Sequence, residues 1–179
     1  LYPKANTLIA ISIGILLGTG LYIISMYLLG LIGISWTQLS LTLLALIIFV
    51  ASLPLVRLIT KPTNAPNQTL GIVVVLLFTS FSMIVNSYWP VRDWDALTLY
   101  DFRAKVFSEN QEIAGIFTPE LNYYLAYPFF TSLVHTVSYV FEYARPAIYY
   151  SLVYAVLGLF IFGFLSQKVS KVLSIIFTI

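Results

Sequence analysis

The chain has 179 residues, of which nine are Lys or Arg and seven are Asp or Glu; charged residues make up 9% and apolar ones 60%. A soluble domain carries roughly 25% charged residues. Together with a mean hydropathy of +0.94, this excludes an ordinary cytosolic globule, a disordered chain and a nucleic-acid-binding domain. A net charge of +2 is too small for a polyanionic partner, and the lack of cysteine excludes disulfides, thiol ligands and Cys nucleophiles.

What remains is an all-α integral membrane protein, a polytopic bundle read as one transmembrane domain over residues 1–179. No Asp, Glu, Lys or Arg occurs from residue 5 to residue 56. At 1.5 Å per residue this is roughly 78 Å of helix, too long for one crossing of a ~30 Å core. The chain must fold back, and Gly33-Ile34-Ser35-Trp36-Thr37-Gln38 is the best break, with a Trp of the interfacial kind. Two spans are therefore predicted, near 8–32 and 39–58. A polar loop with Pro62 and Pro66 follows, and a third span near 69–87 closes on Tyr88-Trp89-Pro90.

Residues 92–120 then hold nine of the sixteen charges and six of the seven acids. A charge-free fourth span is predicted over 121–141, a tight connection over 142–146 and a fifth span over 147–165. An apolar run from 172 to 179 is roughly 12 Å as helix, too short to cross. It reads as the start of a sixth span in a longer protein. Placing Lys4 inside and alternating puts Arg57, Lys61 and Arg145 inside and the acidic loop 88–122 outside. Against this, Lys168 and Lys171 would also fall outside; either the bias is weak or one apolar segment does not cross.

Within that loop an amphipathic helix is predicted over about 94–108. Leu99, Phe102 and Val106 share one face, and Asp101 and Lys105 are spaced i, i+4 for a surface ion pair. Asp93 is a candidate N-cap and Asp95 falls in the first turn, where acids suit the helix dipole. The helix is expected to lie on the membrane surface with its apolar face down. The plain reading is a connector resting on membrane lipids; the sharper one is a carboxylate site at the membrane boundary.

An opening span, an outer loop with an acid on a surface helix, and an aromatic-Pro start to the next span resemble the GT-C glycosyltransferases, including the protein mannosyltransferase and aminoarabinose transferase group. The residues that carry the resemblance are Trp94-Asp95-Ala96-Leu97-Thr98-Leu99-Tyr100-Asp101-Phe102-Arg103-Ala104-Lys105-Val106-Phe107 and Tyr127-Pro128-Phe129-Phe130. Ala96 stands where that family often has a second acid, and two spans precede the usual opening one. The resemblance implies transfer of a sugar from a polyprenyl-phosphate donor to an acceptor hydroxyl or lipid at the outer leaflet of a bacterial inner (plasma) membrane. It implies Asp95 as the general base. Asp93 either shares a divalent metal (Mg or Mn) with Asp95 or caps the helix. Arg103 and Lys105 are candidates for the donor phosphate, with snorkelling to lipid phosphates as the plain alternative. Tyr100 and Tyr127 are candidate substrate contacts, Tyr127 alternatively part of an aromatic belt.

His135 is the only histidine, inside the predicted fourth span. An ionisable group at such depth is a functional candidate; its alternative is a neutral imidazole hydrogen-bonded to a neighbouring helix. Asn67-Gln68-Thr69 fits a glycosylation acceptor but falls in a loop placed inside. Gly18-Thr19-Gly20 is better explained by helix packing than by a nucleotide site. The competing functions are a transporter or flippase of lipid-linked saccharides, and a non-catalytic membrane scaffold. As a fragment, these residues are expected to be inactive alone.

Overall fold

The computed structural model describes residues 7–59, 69–88, 96–113, 129–176 and 178. The described residues form helices and turns, with no strand among them. The helices are α1 (Thr7–Leu31), α2 (Gln38–Ile59), α3 (Thr69–Tyr88), a π-helical segment (Ala96–Asp101) running into α4 (Phe102–Asn110), α5 (Phe129–Val140), α6 (Ile148–Leu165) and the short α7 (Lys171–Ile176). Three are long and apolar enough to cross a membrane: Leu8–Leu31, Thr69–Tyr88 and Ile148–Leu165. Their exposed large side chains, such as Leu17, Leu28, Leu77, Phe81 and Tyr154, suit lipid rather than water.

Of the five complete spans predicted, three are matched by helices of this length. The helix Phe129–Val140 is shorter than these three, and so is the apolar stretch Gln38–Leu53, which is only part of the 22-residue α2. Phe129–Val140 has 12 residues, about 18 Å, where a charge-free run of 21 suggested a span. Residues 121–128 of that run lie outside the described residues.

The break between the first two helices falls where the sequence placed it, and its chemistry is local. Gly33 adopts φ +77°. Gly33 N–H donates to Gly30 O at 3.2 Å and Ile34 N–H to Leu29 O at 3.0 Å, the paired bonds of a Schellman end. Thr37 and Ser40 then open α2 reciprocally. Thr37 Oγ1 accepts from Ser40 N–H (3.1 Å) and Ser40 Oγ accepts from Thr37 N–H (2.9 Å), in the manner of a capping box. Trp36 is not the interfacial residue expected; it is fully buried. Its Nε1–H donates to Met26 O at 3.0 Å, its N–H to Gln111 O at 2.7 Å, and its ring meets Phe107 edge-on. The indole found an acceptor inside the protein, so it had no need of the headgroup layer.

Contacts along the long helices give the bundle two ends. α3 and α6 run antiparallel: Gly71 lies against Phe162, Val75 against Gly158, and Ser82 and Asn86 against Ser151. Gly163 near the C-terminus of α6 faces Leu8 and Ile9 at the start of α1. The starts of α1 and α3 and the end of α6 thus share one end, here the far end. The 32–37 turn, the end of α3, α4 and the 141–147 connection gather at the opposite, loop end. There Arg145 Nε donates to Ser87 O at 3.1 Å. A core of Ile23, Met26, Trp36, Leu41, Phe107, Ile113, Leu133 and Val134 fills the loop end.

The predicted amphipathic helix exists, with a different inner face. Leu99 is buried, but Phe102 is exposed and Val106 only half-buried; Arg103, Ala104 and Phe107 face inward instead. The cause is the π-helical segment. Its wider turns break the 3.6-residue period on which the predicted face relied. The inner face of α4 packs on α5, so protein rather than the bilayer covers it.

Candidate functional site

Asp101 is the last residue of the π-helical segment, and it points into the protein. It is 2% exposed, and so is His135 on α5. Tyr139 Oη donates to Asp101 Oδ1 at 2.6 Å, within the short range of a hydroxyl bonded to a charged oxygen. His135 Nδ1 lies 3.2 Å from the same oxygen. Lys105 Nζ is 3.1 Å from Oδ2, with its side chain 51% exposed. The predicted Asp101–Lys105 pair is therefore real but is not a surface pair, because one partner is interior.

The helices explain the meeting. His135 and Tyr139 are one α-helical turn apart and share a face of α5. The π-helical segment turns Asp101 onto that face. Tyr150, early in α6, reaches His135 Nε2 from the other side at 2.9 Å. Thr136 Oγ1 also donates to Ala104 O at 3.3 Å, a further polar tie between α5 and α4.

Electrostatics give the cluster a direction. Burial pushes the Asp101 carboxyl up, but hydrogen bonds from His135, Tyr139 and Lys105, with the Lys105 charge, outweigh it and hold the carboxyl below its ordinary range. An ionised carboxylate only accepts. His135 Nδ1 must then carry the proton. With a neutral imidazole, Nε2 accepts from the Tyr150 hydroxyl. The chain reads Tyr150 O–H to His135 to Asp101, with Tyr139 and Lys105 closing on the same carboxylate. This is the intramolecular reading of His135 weighed at the sequence level, with a carboxylate as a partner that reading lacked.

Chemically, this arrangement orders an imidazole and ties three elements together. Its polar atoms point at one another, so it fixes the loop helix rather than presenting a base outward. Arg103 is also buried, its guanidinium 5.0 Å from the centre of the Phe129 ring, a cation–π distance. Lys105 Nζ lies 5.5 Å from the Tyr139 ring centre. Tyr100 is half-buried on the π-helical segment. The structure thus brings Lys105 and His135 together through Asp101 and places Arg103 beside Phe129. Asp93, Asp95 and Tyr127 lie outside the described residues. Among the described residues, no group of three His, Asp or Glu side chains is placed to hold a metal ion.

Sequence reasoning missed Asp101 as a buried anchor, and missed Tyr139 and Tyr150. One signal was available. A lone histidine in an apolar segment needs a polar partner, and six of the seven acids lie in the loop that precedes it. Comparison with protein-family models, curated proteins and solved structures finds no match for the chain.

Proposed function

We propose that the chain is a membrane glycosyltransferase acting on a polyprenyl-phosphate-linked sugar, with Asp95 as the general base. The Asp95 carboxylate takes the proton of the acceptor hydroxyl as that oxygen bonds to the anomeric carbon of the sugar. The bond from that carbon to the phosphate oxygen breaks, and polyprenyl phosphate leaves with the electron pair. Lys105, half exposed beside Asp101, supplies positive charge for the leaving phosphate. Arg103 faces the Phe129 ring and is given a packing role.

One observation carries this reading beyond the resemblance in residues 94–107 and 127–130. The helix that follows Asp95 directly in sequence is held by the buried Asp101, His135, Tyr139 and Tyr150 cluster. A catalytic carboxylate needs such fixed support, because misplacement by 1 Å can cost about 100-fold in rate. A connector merely resting on lipid would need no interior carboxylate. A flippase or transporter would be expected to carry ionisable groups inside several spans, and the charged or imidazole side chains within the predicted spans are His135 and, at the very end of the second, Arg57.

The test is release of polyprenyl phosphate from labelled polyprenyl-phosphate hexoses by the full-length protein reconstituted in vesicles. Asp95→Asn is expected to lower release at least ~100-fold, the usual scale of general-base catalysis, with folding unchanged. Wild-type release by Asp95→Asn, or no release by the wild type from any such donor, overturns the assignment. Chelation with EDTA followed by Mg or Mn decides whether Asp93 and Asp95 share an ion.

A further inference from the structure

We infer that the apolar segment Phe129–Val140 does not cross the membrane, that residues 7–165 cross it four times, and that the Asp101–His135 cluster belongs to the outer face. The path follows from the two ends of the bundle. α1 runs from the far end to the loop end, where Trp36 bonds to Gln111 and packs on Phe107. α2 starts at the loop end, yet α3 starts at the far end, where Gly71 meets Phe162 near the end of α6. α2 must therefore carry the chain across. Its 22 residues span about 33 Å, enough for a ~30 Å core. α3 returns to the loop end.

Both ends of α5 then stay at the loop end. Phe129 stacks on Tyr27, ring centres 5.8 Å apart, and Tyr27 is four residues, about 6 Å, from the end of α1. Just beyond the other end of α5, Arg145 bonds to Ser87, the residue before the last of α3. A helix of about 18 Å standing along the membrane normal would separate its ends by that depth. Tyr27 and Ser87 both lie in the last turns of α1 and α3, so α5 lies across the loop end as a lid on the core. α6 then starts at the loop end, where Ser151 meets Asn86, and ends at the far end.

This path sorts the charges. Segments assigned to the far end carry Lys4, Arg57, Lys61, Lys168 and Lys171 and no acid. Segments at the loop end carry Arg92, Arg103, Lys105 and Arg145 against all seven acids, a net charge of −3. A crossing α5 would instead put Lys168 and Lys171 with the acids. Basic residues in short loops mark the cytoplasmic side; with five of the nine basic residues and no acid on its segments, the far end is assigned to the cytoplasm and the loop end to the outside.

The absence of native cysteine makes the test direct. Glu109→Cys, Glu142→Cys and Lys168→Cys are made singly in the full-length protein, and intact cells are treated with a membrane-impermeant maleimide. Glu109→Cys and Glu142→Cys are expected to label equally from outside, and Lys168→Cys only after permeabilisation. Ala144→Cys replaces Glu142→Cys if the latter fails to accumulate. Labelling of positions 109 and 142 from opposite sides overturns the non-crossing helix. All three sides reversed overturns the outward assignment. Transfer assays have no bearing on these labels, so the topology and the proposed reaction fail separately.

Discussion

Replacing Asp101 with Ala removes the one acceptor that joins three elements. Tyr139 Oη and His135 Nδ1 would be left as donors in the interior, and each stranded buried donor costs about 1–3 kcal/mol. The Lys105 pair adds little, because its ammonium is half in solvent and such pairs contribute about 0–1 kcal/mol. The expected loss is about 3–5 kcal/mol, the scale seen when one partner of a buried pair is deleted. For a chain of this length each kcal/mol moves the midpoint of thermal unfolding by about 2–4 °C on soluble-protein scaling. Asp101→Ala should therefore unfold at least ~6 °C below wild type in the same detergent. Tyr139→Phe should lose about 1.5–3 kcal/mol, the value of a hydrogen bond to a charged group. The double variant should lose at least ~1 kcal/mol less than the sum, since the two side chains share one bond. An Asp101→Ala midpoint within about 2 °C of wild type, with no coupling to Tyr139→Phe, would refute the anchoring role.

Three further outcomes follow from the same contacts. Because the folded Asp101 carboxyl sits below its ordinary range, its stabilisation is complete above the unfolded value of about 3.9 and fades as pH falls through the lower folded value. The stability gap between wild type and Asp101→Asn, followed by thermal unfolding, should be constant from pH 7 to 5 and shrink below about pH 4. At Gly71 an added Cβ would overlap the buried Phe162 ring. Gly71→Ala should cost about 1–3 kcal/mol by overpacking, with Phe162→Leu restoring part of it, whereas Gly14→Ala, with open space around it, should not destabilise. Glu142 closes α5 at φ 59°, with Tyr143 N–H donating to Ser138 O at 2.8 Å. Glu142→Gly should raise stability by about 1 kcal/mol by relieving the left-handed backbone, and an unchanged or lower midpoint would count against strain there.

Much of the fold was legible in the sequence because it follows from short-range chemistry. The break at residues 33–38 needs only a glycine for the left-handed end and a Thr/Ser pair to open the next helix. The loop helix likewise shows as periodic apolar residues between charges. Its face was misplaced because π-helical geometry at residues 96–101 leaves no mark in a 3.6-residue pattern. Trp36 was misread for a related reason. An indole suits an interface and an interior acceptor equally well, and only the fold supplies the Met26 carbonyl.

On the path inferred above, the fourth apolar segment shows how hydropathy alone overcounts crossings. A run without charges states that the segment avoids water, and two places satisfy that condition: the bilayer core and the interior of a protein cap lying on it. Phe129–Val140 distinguishes them through its polar residues. Ser132, His135, Thr136 and Tyr139 are buried or half-buried. Three of them bond to Asp101, Ala104 or Tyr150, on elements that belong to the loop end. A lipid-facing span could not supply a charged loop residue such as Asp101 at that depth without a large desolvation cost. The carboxylate is tolerable because α5 stays near the membrane face and meets the loop there. The placement of α5 inferred above and the interior partner that His135 requires thus rest on the same contacts with Asp101, and the sequence signal for both is one histidine in an apolar run that follows a loop rich in acids.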